Sequence, residues 1–210
     1  QLNALTGAQV KALSTTAIVA MTTAQAAALA STQLANLTVA QVTALGVDDL
    51  EVLSTAAINA MSQMQVKALT TAQVQKLSTT QASALSAKVL TSMTTSQLAA
   101  IETADVAKLS SAALNALSVA QLNALTTAQV DALSTAQLQQ LSQTQVGNLS
   151  TDQLQALSTA DLQALLTSQI TALKTNQVAN LSTDQVNALT TAQAAKLSDS
   201  QAAALTTSQV

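Results

Sequence analysis

Large apolar residues return at every eighth position of this chain. From Leu5 the register passes through Leu13, Met21, Leu29 and Leu37, then Met61, Met93, Ile101 and Leu133, and reaches Leu205 without an insertion or deletion. A second apolar site follows five residues after each, as at Val10, Ile18, Leu34, Val42, Leu114, Val130, Leu154 and Ile170, with alanine instead at Ala26, Ala82, Ala194 and Ala202. The polar positions are as regular. Serine or threonine follows the register residue in 21 of 26 octads, and glutamine comes three places later in 19 of 26, with Asp49, Asp105 and Asp161 as substitutes. These frequencies define a consensus, Leu-[Ser/Thr]-Thr-Ala-Gln-[Val/Leu]-x-Ala.

A hydroxyl residue followed three places later by glutamine is a capping box, in which each side chain accepts from the other residue's backbone N–H at a helix start. The apolar residues before the cap and at the fourth helical position form a hydrophobic staple. Leu133, Ser134, Gln137 and Leu138 show all four parts. Every octad carries its own helix start signal. The spacing therefore predicts an all-α solenoid or superhelix of very short helices, one per octad, bent at each Ser/Thr junction. Residues 1–210 read as one continuous repeat rod.

Two other folds compete with this one. In a single continuous helix, eight residues advance about 800°, so the leucine stripe drifts about 80° per octad and no partner can follow it. A β-solenoid is the stronger alternative, since Thr and Val favour strands. Against it, the two apolar sites are five residues apart and would face opposite sides of a strand. Turn glycines are also scarce, with only Gly7, Gly46 and Gly147.

One octad buries two large side chains, each worth about 1.5–3 kcal/mol, against an ordering cost of about 1.5 kcal/mol per residue. An isolated octad is unfolded, and stability must come from stacking on neighbours. The position two before the register leucine is mostly polar, as at Asn115, Asn123, Asp131 and Gln155, and is expected to face water. The pattern is already running at Gln1, Leu2 and Asn3, and the chain starts and stops within an octad. Solenoids normally need polar end caps. The expectation is an excerpt of a longer chain, or association end to end or laterally into fibres.

Composition narrows the chemistry. There is no Cys, His, Pro or aromatic residue among the 210, and the seven cations are all lysines against ten acids. The missing aromatics fit a core one side chain deep. Disulfides, Cys or His metal sites and a histidine base are excluded. Nucleic-acid binding is disfavoured by the net charge of −3 and the lack of arginine and stacking residues. No apolar run is long enough for a membrane span.

The stretch LTTAQVDALSTAQLQQL, Leu125 to Leu141, resembles the repeats of long bacterial secreted or surface proteins, often labelled as adhesion or haem-utilisation related, and the likeness extends over the whole chain. Stacked short helices are also similar to the superhelical cytosolic domain of bacterial magnesium transporters, whose longer units and acidic metal-facing residues are not matched here. The first resemblance implies a bacterial, extracellular or cell-surface location. Haem itself requires an axial His, Cys, Met or Tyr. Only Met21, Met61, Met64 and Met93 are available, and three of these occupy the core register, where methionine is a filler. No cofactor is expected.

The remaining candidates have structural readings. Ser86 and Lys88 lie close enough to evoke an activated nucleophile, yet the octad assigns Ser86 to capping. Asp48, Asp49 and Glu51 could hold a weakly bound cation, but Asp48 and Asp49 fall at the second and third helical positions, where carboxylates meet the helix dipole. Asn-x-Ser/Thr sequons at Asn36, Asn148 and Asn180 arise wherever Asn precedes the register leucine, although glycosylation of a Ser/Thr-rich rod is compatible with them. No catalytic, cofactor-binding or metal residue is assigned. The expected function is non-enzymatic: an extracellular fibre, stalk or spacer. The alternative is a repetitive adhesive surface on which threonines such as Thr127, Thr135, Thr151 and Thr159 contact carbohydrate, mineral or ice.

Overall fold

A computed structural model describes residues 4–210, so the opening Gln1, Leu2 and Asn3 lie outside the described residues. Among those described there are twenty-five helices of four to six residues and no strand, which sets aside both the β-solenoid and the continuous helix. The helix Thr135–Gln140 is representative. Ser134 caps it with an extended backbone (φ −69°, ψ 155°), its Oγ accepting from the Gln137 N–H at 3.3 Å while Gln137 Oε1 accepts from the Ser134 N–H at 2.7 Å. At the other end Leu141 turns extended (φ −62°, ψ 137°), its N–H still bonded to the Leu138 carbonyl at 3.2 Å.

This ending explains how the chain bends so often without glycine or proline. Two residues, the register leucine and the next cap, leave the helical region for the extended one, and no described residue adopts a positive φ. Leucine and serine enter that region without steric cost. The bend is written by the cap.

Each helix packs on the helix three octads further along: Thr127–Asp131 on Thr151–Ala156, and Thr135–Gln140 on Thr159–Ala164. The chain thus closes a coil about every three octads. Inside it runs one continuous core built from both apolar sites, with Leu133 3% exposed and Val130 and Leu138 fully buried. Met61 and Met93 are buried in the same column, while Met64, off register, is exposed. Where the second site is alanine the core still closes at Ala26 and Ala82, which are wholly buried, whereas Ala194 and Ala202 near the end of the chain are exposed.

Candidate functional site

The octad glutamine occupies the seam between coils. Its Oε1 is used on its own helix cap, and its Nε2 then reaches back to the preceding coil. Gln137 Nε2 donates to the Leu109 carbonyl at 2.7 Å and the Val106 carbonyl at 3.2 Å. Gln73 does the same to Leu45 and Val42, and Gln201 to Leu173 and Ile170. Gln33 through Gln209 repeat the bond to the register carbonyl 28 residues earlier at every octad that has glutamine there. Those carbonyls belong to the extended bends and have no helical partner of their own. A buried carbonyl left unpaired costs about 1–3 kcal/mol, so the ladder removes a penalty at each bend.

The ladder is what the octad reading lacked. Capping boxes accept glutamate as readily as glutamine, yet neither glutamate of this chain, Glu51 or Glu102, stands at that position. Only the carboxamide has a donor besides its acceptor. The exclusion of glutamate was the available signal.

A second tie crosses the seam in the other direction. Asn123, Gln139 and Gln155, two residues before the register leucine, donate to the carbonyls of Asn148, Ala164 and Asn180, each 25 residues ahead. These side chains are exposed, as expected from the sequence, and bonded as well. At Gly147 of the same register the next coil comes so close that an added Cβ would meet the Ala172 carbonyl oxygen.

Interrupted steps show what the glutamine does. Where Val89 replaces it, Lys88 Nζ donates to the Met61 carbonyl at 2.9 Å, and Asn59 Oδ1 accepts from the Ser86 N–H at 2.8 Å. The two tasks of one carboxamide are split between two side chains. Lys88 is thereby engaged with a carbonyl, and Ser86 Oγ accepts from the Val89 N–H, so this pair forms a cap and a seam contact. Asp161 accepts from Ser158 and closes its own box.

Asp48 and Asp49 occupy the first turn of Val47–Glu51, as the spacing predicts, behind a Gly46 cap that has no side chain. Burial pushes the Asp49 carboxyl above its ordinary value; the Gly46 N–H bonded to it lowers it, and neighbouring Asp48 raises it again. Among the described residues no three His, Cys, Asp or Glu side chains are placed to hold a metal ion. The sequon residues Asn36, Asn148 and Asn180 each donate Nδ2 to the carbonyl four residues earlier, and Asn148 Oδ1 also accepts from Lys174.

Threonines are sorted by the coil. Thr127 and Thr151 lie three octads apart and share one column with Thr55, Thr79, Thr103 and Thr175, whereas Thr135 and Thr159 belong to the next column. No member of the first column is buried.

Among the described residues no helix is long and apolar enough to cross a membrane. No curated protein matches the chain. The family model described as the ALTTAQ repeat matches five stretches, residues 2–39, 42–79, 98–135, 130–159 and 155–191. Its hexapeptide stands in the chain at Ala68–Gln73, Ala124–Gln129 and Ala188–Gln193, where the threonines are the cap and first helical residue and the glutamine is the ladder residue. With most of its length matched, this repetitive protein belongs to the ALTTAQ repeat family.

Proposed function

We propose that the chain is a non-enzymatic rod, acting as an extracellular fibre, stalk or spacer. The observation that carries this reading is the seam: one apolar column and one ladder of side-chain to backbone bonds recur from coil to coil. Such a seam resists separation of coils all along the axis, which suits an element that sets a distance. The named reactive candidates are also engaged structurally, Ser86 as a cap and Lys88 on a carbonyl. Small-angle scattering of the purified protein tests the reading. A rod-like profile whose length grows in proportion as octads are added by duplication supports it; a compact globule overturns it.

The threonine column favours a second reading, repetitive adhesion. Six threonines from Thr55 to Thr175 stand one per coil, which is the regular array a carbohydrate, mineral or ice lattice would require. Replacing Thr103, Thr127 and Thr151 by valine together should abolish binding to such a surface while leaving the helical content unchanged.

A further inference from the structure

We propose that the interrupted seam at Asp105 is a binding site for an aliphatic diamine. At this step aspartate replaces the ladder glutamine. The side chain is one carbon shorter and offers acceptors in place of a donor. By the register of the ladder, the Leu77 carbonyl loses the N–H that glutamine supplies one octad earlier, where Gln97 serves Leu69. What remains is a cavity of about 300 Å³ lined by Glu51, Lys76, Leu77, Ser78, Glu102 and Asp105.

Asp105 is only 3% exposed, and its side chain has no hydrogen-bond partner. No buried oxygen of it is sealed off, so the carboxylate opens on the cavity. Among the acids that replace the glutamine the other two are engaged, Asp49 with the Gly46 N–H and Asp161 with Ser158, while Val89 is compensated by Lys88 and Asn59 and the alanines at Ala57 and Ala113 bring no charge. An unpartnered carboxylate opening on the cavity beside an unclaimed carbonyl offers two adjacent acceptors to a cationic donor.

The lining narrows which cation. Three carboxylates against Lys76 leave two negative charges unbalanced, and Lys76 makes no ion pair. The carboxylates do not converge as metal ligands do, whereas calcium needs six to eight oxygens at about 2.3–2.6 Å. A diamine carries two ammonium groups on a flexible apolar chain, so it can meet carboxylates that do not converge on one point. One ammonium donates to the Asp105 carboxylate and the Leu77 carbonyl in place of the missing carboxamide, and the second meets Glu51 and Glu102 at the rim.

The test is a titration of the full chain with putrescine at constant ionic strength, followed by amide NMR shifts. Saturable shifts centred on Leu77 and Asp105 are expected. Asp105→Gln restores the family consensus, so it should fold with unchanged circular dichroism and bind about tenfold more weakly or worse. Absence of saturable shifts in the natural chain, equal binding by Asp105→Gln, or the same shifts produced by sodium or magnesium would each overturn the proposal.

Discussion

Gln137 and Leu109 are joined by a 2.7 Å hydrogen bond from side-chain amide to backbone carbonyl, across 28 residues of chain. The same carboxamide accepts from the Ser134 N–H at 2.7 Å. One side chain therefore starts a helix and fastens it to the coil beneath, and both tasks follow from glutamine having a donor and an acceptor on one planar group. Local structure and long-range packing are coupled at a single residue per octad.

The cap component can be measured at Ser134. Ser134→Ala should cost about 0.5–2 kcal/mol and Ser134→Gly only a few tenths, because glycine tolerates the cap conformation. Urea denaturation of both variants in the full chain checks this. An advantage of alanine over glycine is expected only inside a helix, where it is about 1 kcal/mol, and would remove Ser134 from the capping role.

Burial of Asp49 makes stability depend on pH. A carboxyl whose folded value is raised binds its proton more tightly in the fold. Its contribution to stability is full below the ordinary value, about 3.9, and is lost as pH rises through the raised one. Asp49→Asn removes the charge at constant shape. Its melting temperature should exceed that of the natural chain at about pH 7, and the advantage should vanish near about pH 3.

Gly147 sits where two coils approach closely. Gly147→Ala places a methyl against the Ala172 carbonyl oxygen, a backbone atom that cannot rotate away. A loss of about 1–3 kcal/mol is expected from the forced shift. Hydrogen exchange should report it as faster exchange around Val146 and Leu173, with octads near Leu37 unaffected.

Leu133→Asp should open the rod locally, since it buries an unpaired charge in a core one residue deep, at a cost of several kcal/mol. Neighbouring coils contact only one another, so distant octads retain their helices. Circular dichroism should show a partial loss; all-or-none unfolding of the chain would contradict repeat-wise stability.

The helices, their caps and their core were legible because all the interacting groups lie within one octad. Leu133, Ser134, Gln137 and Leu138 fall within six consecutive positions, so spacing alone reveals their contact. The coil was not legible, because the partner of Gln137 is a carbonyl 28 residues away, and every residue has a carbonyl. Octads that resemble each other so closely leave no mark of which ones stack. The same blindness hid the site at Asp105, read from sequence as a mere substitute for glutamine; its burial and its cavity exist only once the third octad back is in place.

Gln137→Glu separates the two tasks of the ladder residue, because it keeps the capping acceptor and deletes the donor to Leu109. If glutamine fastens the coils, the variant loses about 3 kcal/mol or more near neutral pH, from an unpaired carbonyl and a buried carboxylate, and regains part of it in acid when the carboxyl is protonated and can donate. If the residue serves only as a cap, glutamate replaces it within a few tenths of a kcal/mol at both pH values. That second result would mean that the coils hold together without the glutamine ladder.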